Sequence, residues 1–368
     1  MTDGLGLENV YGATIERMKA QGGDKSRPGM GALMWISYAE RPLRADELCH
    51  ALAIELGSTD FNAGNIPSIV TLVSCCQGLI SVDKDAFRPR VRLIHFTLRE
   101  YLSAHPDIFS RPHSAMAEIC LTYLNFQQVK ALPADPFAKS YLQAHVFLCS
   151  NPFPSYCSLY WGVHAKRELS NCARALALEL FREYDVHISR KLLLEGEPEG
   201  WGAKGFNPSS PFNGLHCASL FGIVEIVSAL IEMKNYDLNR RDFEGYIPLS
   251  WAAQKGHEEV VRLLLGREEV DPSKPEVYGK TPLSLSADAG HEGVVKILLR
   301  REEVNPGELN IWGETPLLRA AARGYEGVVK TLLGREEVNP DKPENDGRTP
   351  LSYAAFDGRE GMAKILLG

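Results

Sequence analysis

Tyr278-Gly279-Lys280-Thr281-Pro282-Leu283, continued through Gly290-His291-Glu292-Gly293-Val294-Val295-Lys296-Ile297-Leu298-Leu299, is one unit of a repeat. Gly222, Gly256, Gly290, Gly324 and Gly358 lie 34 residues apart, as do Leu215, Leu249, Leu283, Leu317 and Leu351. A period of that size predicts a solenoid, whose units bury their apolar faces by stacking on their neighbours. Residue types give the unit its shape. Gly279, Gly313 and Gly347 supply a tight turn with positive φ. Thr281, Thr315 and Thr349 are N-caps, each followed by a proline at the first helical position, where a missing N–H costs little. Leu283 and Ala287 face inward on a short helix that Gly290 ends. Val294, Val295, Leu298 and Leu299 form the apolar stripe of a second helix. Helices of about 8–10 residues are marginal alone in water, so stacking must stabilise them.

These residues resemble the ankyrin repeat: Gly-x-Thr-Pro-Leu, then Ala-Ala, Gly-His, Val-Val and Leu-Leu. Five copies are expected, at 211–240, 241–273, 274–307, 308–341 and 342–368. The family's His after Thr-Pro-Leu is replaced by Ser250, Ser284, Leu318 and Ser352, and only His216 keeps it. The hydrogen bond that this His makes in the family therefore does not carry over to the later copies. The first copy reads Phe212-Asn213-Gly214-Leu215, without Thr-Pro.

The chain has 368 residues, 44% of them apolar, enough for two or three domains with real cores. Its formal charge of −7 argues against general binding to nucleic acid or anionic membranes. The eight cysteines show no Cys-x-x-Cys and no regular spacing, which predicts buried free thiols in a reducing cytosolic or nuclear compartment. The longest uncharged run, Phe61 to Val82, is broken by Asn62, Gly64, Asn65, Pro67 and Gly78. It reads as a buried helix and strand, not a membrane span.

Residues 1–22 predict a helix, with Leu7, Val10, Tyr11, Ile15 and Met18 near helical spacing. Gln21 to Gly29 reads as a polar link, closing a first segment at 1–29. From 30 to 105 the order is helix, helix (Ala45 to Glu55), helix (Ile66 to Cys76), then strands at Leu79–Val82 and Val91–Ile94 around a charged hairpin. That order is a winged-helix pattern. Three stretches, Leu33-Met34-Trp35-Ile36-Ser37, Arg41-Pro42-Leu43-Arg44-Ala45-Asp46-Glu47-Leu48 and Val91-Arg92-Leu93-Ile94-His95-Phe96-Thr97-Leu98-Arg99-Glu100-Tyr101-Leu102, resemble the segment after the nucleotide-binding domain of fungal NACHT–ankyrin proteins. These are STAND proteins, related in architecture to NOD-like receptors. From 106 to 205 helices are expected at Ala115–Leu124, Ala138–Leu148 and Ala165–Leu194, the last with a stripe of Leu169, Cys172, Leu176, Leu180 and Tyr184. Glu195 to Ser210 reads as a linker. The fold expected is mainly α: a winged-helix-like unit and helical region before an ankyrin solenoid.

The resemblance implies a P-loop, and none is present. The nearest string, Gly22-Gly23-Asp24-Lys25-Ser26, places an acid where phosphate would sit and follows no strand. No cofactor is expected, and the chain is read as beginning downstream of an ATPase domain. His257-Glu258 and His291-Glu292 lack a second His four residues on, so no metal motif appears. His95 reads as a packed residue at a strand–helix junction, and Cys75-Cys76 as core. No catalytic constellation emerges. The third helix of the winged-helix unit carries no Lys or Arg between Asn62 and Leu79, so direct DNA reading is not expected.

What remains is surface. By register, the repeat tips and first helices present Phe243, Glu244, Tyr246, Gln254 and Lys255; Val277, Tyr278, Lys280 and Asp288; Ile311, Trp312, Glu314 and Arg323; and Asn345, Asp346, Arg348, Phe356 and Asp357. Trp, Tyr and Arg dominate binding hot spots. The sequence therefore predicts a non-enzymatic interaction protein that grips a protein partner in this groove. The version preferred is a regulatory adaptor. A transcriptional co-regulator acting on a DNA-bound factor is the alternative, and an enzyme the alternative of another class. The fifth copy stops at Ile365-Leu366-Leu367-Gly368 without a polar cap, which predicts either that the chain is truncated there or that this end meets a partner or another copy of itself.

Overall fold

A computed structural model describes residues 4–83, 89–133, 146–148, 151–196, 212–233 and 236–368. The chain divides into two compact units, Met1–Pro208 and Ser209–Gly368. Most of the expected wing hairpin, nearly all of the expected 138–148 helix and the expected linker after 196 lie outside the described residues.

The first unit opens with α1 (Gly4–Lys19) and α2 (Gly23–Tyr38). The second of these begins inside the stretch expected to be a link. The reason is packing: a Cβ on Gly29 would stand 3.0 Å from the Cys75 carbonyl oxygen, and one on Gly31 only 2.7 Å from Leu52. These glycines let the neighbouring backbone and side chains come close to α2, and do not mark a flexible joint. α3 (Ala45–Leu52) carries an N-terminal device that uses a buried charge. Glu47, 2% exposed, accepts the Arg44 backbone N–H at 2.9 Å and receives Arg41 through both guanidinium nitrogens, at 2.8 and 2.7 Å. α4 (Ile69–Cys75) is capped by Ser68. β1 (Ile80–Val82) and β2 (Val91–Leu93) pair antiparallel, Ile80 opposite Leu93 and Val82 opposite Val91.

The winged-helix order is therefore present. An isolated bridge between Arg44 and Arg90, which the sequence reading did not anticipate, joins the start of α3 to the second strand. α5 (Phe96–Ala104) follows directly, and its N-cap is His95, whose Nδ1 accepts the Thr97 N–H at 3.3 Å. His95 is exposed, so it is a cap and not the packed residue expected. Cys75 and Cys76 are buried, and burial pushes the Cys76 thiol up to about 12.

α6 (Pro112–Asn125) packs with the helix Pro154–Arg167. Trp35 of α2, fully buried, meets the rings of Phe153 and Tyr156 edge-on at 5.5 and 5.6 Å. The single helix expected over 165–194 is three pieces: Pro154–Arg167 ends within it, and Asn171–Leu180 and Ile188–Gly196 follow. Ser170 caps the second piece through the Ala173 N–H. The buried stripe is Ala173, Ala177, Leu180 and Tyr184, whereas Cys172 is exposed.

In the second unit the described residues form ten helices that alternate as five pairs, from Gly214–Phe221 to Glu360–Leu367. This is the expected ankyrin solenoid. Thr281, Thr315 and Thr349 each accept the N–H three residues on, and the three turn glycines have φ of 80°, 76° and 79°. Of the four residues that replace the His, two serines bond the start of their own helix, whereas Leu318 brings no polar group and the buried Ser250 Oγ has no partner among the described residues. Asn213 donates its N–H to His216 Nδ1 at 3.2 Å in the first repeat, while Ser284 and Ser352 hydroxyls donate to the Thr281 and Thr349 carbonyls at 3.0 and 2.8 Å.

The Gly-His turns join repeats to each other. His257 and His291 Nε2–H donate to the Leu220 and Gln254 carbonyls of the preceding repeats, both at 2.9 Å. At the same register Arg359 donates to Ala322 O at 2.7 Å, and the Tyr325 ring lies over Gly290.

Candidate functional site

The site is built on the hairpin tips. Each tip closes on itself through two backbone bonds: Asp242 N–H to Tyr246 O, Glu276 to Lys280, Asn310 to Glu314 and Glu344 to Arg348, at 2.9 to 3.2 Å, and Gly245 N–H to Asp242 O, Gly279 to Glu276, Gly313 to Asn310 and Gly347 to Glu344, at 2.9 to 3.0 Å. Adjacent tips then join. Val277 N–H donates to Glu244 O at 2.9 Å, and Ile311 to Tyr278 O and Asn345 to Trp312 O, both at 3.0 Å. The resulting ladder consumes polar backbone at the tips and leaves the side chains to face water. Phe243, Val277 and Ile311 share one register and are 49, 54 and 57% exposed. Asn345 continues the row.

The neighbouring register holds Glu244, Tyr278, Trp312 and Asp346. Tyr278 and Trp312 stack across the hairpins with centroids 5.5 Å apart and planes at 20°. Lys280 Nζ stands 5.7 Å from the Trp312 ring centroid. Packing on its neighbour does not hide Trp312, which stays 44% exposed. A rigid, half-solvated aromatic pair with a cation beside it is a ready contact surface.

Of the expected groove residues, Tyr246 turns away from it, and Glu314 lines it while mostly buried. Tyr246 is 4% exposed and lies against Trp251 with centroids 5.1 Å apart. Glu314 is 8% exposed and is held by Asn310 Nδ2 at 2.6 Å and Arg319 Nη1 at 3.0 Å. Register alone does not separate a tip side chain that folds back from one that projects. Gln254 and Lys255 are half-buried, and Arg323, Arg348, Phe356 and Asp357 are exposed, Phe356 at 90%.

Asp288 organises the polar part. Its Oδ1 receives Arg319 Nε at 3.0 Å, Arg319 Nη2 at 2.7 Å and Arg323 Nε at 3.2 Å, and Lys280 Nζ stands 3.7 Å from Oδ2. Burial works against the Arg319 charge, yet the Asp288 and Glu314 carboxylates outweigh it and raise its pKa. The next repeat adds Tyr353, whose hydroxyl donates to Glu344 Oε1 at 2.7 Å, with Arg348 over its ring at 5.9 Å. Together Lys280, Trp312, Arg319, Glu344, Arg348 and Tyr353 line a cleft of about 540 Å³.

Arg319, Glu344 and Tyr353 were absent from the residues expected in the groove. A signal for Arg319 was available. It occupies the register of Trp251 and Leu285, both buried, so a charge there requires carboxylates close by.

Residues 215–308 and 295–368 match the family profile of ankyrin repeats, and residues 15–115 match that of a GPI inositol-deacylase winged helix domain. No curated protein matches the chain. The second profile takes its name from an enzyme, but the match is confined to the winged-helix domain. Ankyrin repeats are interaction modules, and they support a role in protein–protein interaction. Among the described residues no helix is long and apolar enough to cross a membrane.

Proposed function

We propose that the protein is a non-enzymatic regulatory adaptor whose ankyrin tips and adjoining cleft hold a protein partner. The observation that carries this reading is the exposed row Phe243, Val277 and Ile311, continued by the Tyr278–Trp312 pair. Large apolar side chains gathered on one ridge cost solubility unless a partner covers them. The polar rim around Asp288 and Arg348 would fix the register of that partner. The regulatory part of the reading rests on the resemblance to NACHT–ankyrin proteins and on the winged-helix match.

The test is cross-linking and capture with the full chain against Trp312→Ala and Tyr278→Ala. A specific partner should bind the parent and lose at least about tenfold in affinity to Trp312→Ala, as hot-spot truncations do. Retention of the same partner by both variants at unchanged affinity removes the groove from the proposal.

A further inference from the structure

We propose that Glu40, His113 and His164 form a site for a divalent cation of the zinc class. The three residues come from separate parts of the first unit: the turn after α2, the first turn of α6 and the helix Pro154–Arg167. His164 is fully buried, and Glu40 and His113 are half-buried. One donor atom from each lies within 4.8 Å of the other two. His113 Nδ1 and His164 Nδ1 are 2.9 Å apart, and Glu40 Oε1 is 3.9 Å from His164 Nδ1. Ligand atoms bound tetrahedrally to Zn²⁺ sit about 3.3 Å from each other, so the two spacings bracket what a cation needs.

The ring centroids of the two histidines are 5.1 Å apart, which with the nitrogen separation means that the two Nδ1 atoms point at one another. Without a cation, one N–H fills that gap. With one, both nitrogens offer lone pairs, part by about 0.4 Å and turn off the line between them so that both lone pairs converge on the ion. The surroundings suit that exchange. Tyr156 OH lies 2.9 Å from His164 Nε2, and a hydroxyl serves as donor or acceptor, so it supports either tautomer of the ring. Arg167 grips the Glu40 carboxylate with two nitrogens, and the Glu40 backbone N–H donates to Tyr156 OH at 3.2 Å. Arg167 Nη1 bonds the same Oε1 that lies 3.9 Å from His164 Nδ1, so a cation has to share that oxygen with Arg167 or displace it.

Two imidazoles and a carboxylate form a borderline N/O set that suits Zn²⁺. Three protein ligands leave a fourth position for water. The Arg167 charge nearby weakens binding relative to a site that lacks it.

The experiment is a Co²⁺ titration of the chelator-treated full chain, read by visible d–d absorption, with Zn²⁺ added as competitor. One equivalent should bind with a tetra- or five-coordinate spectrum and be displaced by Zn²⁺. His113→Ala and Glu40→Gln, each checked for folding by circular dichroism, should weaken binding by about tenfold or more. If His113→Ala fails to fold, Glu40→Gln decides. Absence of the absorption band, or an affinity unchanged in the folded variants, overturns the site and leaves the pair as a histidine–histidine hydrogen bond.

Discussion

Gly290 is where the geometry of the solenoid gives its sharpest energetic expectation. Its φ is +79°, and a Cβ there would stand 2.7 Å from both Cδ1 and Cε1 of Tyr325 in the next repeat. Gly290→Ala therefore combines two costs. The left-handed backbone costs about 1–2 kcal/mol for a residue with a Cβ. Forcing a methyl against a packed ring adds about 1–3 kcal/mol. Reduced freedom of the unfolded chain returns roughly 0.4–1 kcal/mol. The net loss is about 1–5 kcal/mol.

The two costs separate experimentally. In a Tyr325→Ala background the ring is gone, and Gly290→Ala should cost only about 1 kcal/mol. Gly347 has the same φ of +79° with nothing within 4 Å, so Gly347→Ala measures the backbone cost alone. Urea unfolding of the four-member cycle, with hydrogen exchange to localise the loss, gives the coupling. Equal costs in the two backgrounds would show that Tyr325 does not seat on Gly290, and the account of repeat stacking given above would fail.

The remaining expectations can be checked on the same protein. Tyr325→His restores the residue that in two other repeats donates to a carbonyl of the preceding repeat; a gain of about 1 kcal/mol in urea is expected, and a loss would count against the register. Burial lowers the pKa of His216 to about 4, below its unfolded value near 6.5. Acidification from pH 6.5 to 4 then protonates only the unfolded chain and removes roughly 3 kcal/mol of stability, a slope that His216→Gln should flatten. Burial raises Asp242 to about 7, so this group works in the opposite sense: its stabilisation is complete near pH 4 and declines as pH rises toward 7, a trend that Asp242→Asn should abolish. Among the seven described cysteines only Cys172 is exposed, so mass mapping after brief maleimide treatment should find it labelled and Cys76 untouched.

What the sequence made legible was whatever repeats or caps. The 34-residue period, the Thr-Pro starts and the turn glycines each encode a local backbone demand, and each appears in the structure at the residue that carries it. Close packing was less legible. Glycine and proline in Gln21–Gly29 suggest a loop on composition, yet Gly29 and the nearby Gly31 sit where α2 meets Cys75 and Leu52, contacts set by residues some 20 to 45 positions away. The break near residue 170 depends on one serine cap. The Glu40–His113–His164 cluster has no spacing to recognise, because three distant elements bring it together.

The same distinction explains where specificity resides in the solenoid. Positions with a backbone job are nearly alike in successive repeats, so they carry no information about a partner. The position held by Trp251, Leu285, Arg319 and Tyr353 differs in every copy, and each polar version has its own counterpart. Trp251 Nε1 donates to Asp242 Oδ2 at 2.9 Å, Arg319 is held between Asp288 and Glu314, and Tyr353 donates to Glu344. These pairs lie just behind the tips, where a substitution must be matched by its partner to avoid a stranded charge or donor. The repeats are therefore not interchangeable. A partner lying along the ridge meets apolar tips throughout the first three hairpins and an aromatic–cation surface between Tyr278 and Tyr353. Exchanging the third and fourth repeats would preserve the fold's backbone demands and still destroy that surface.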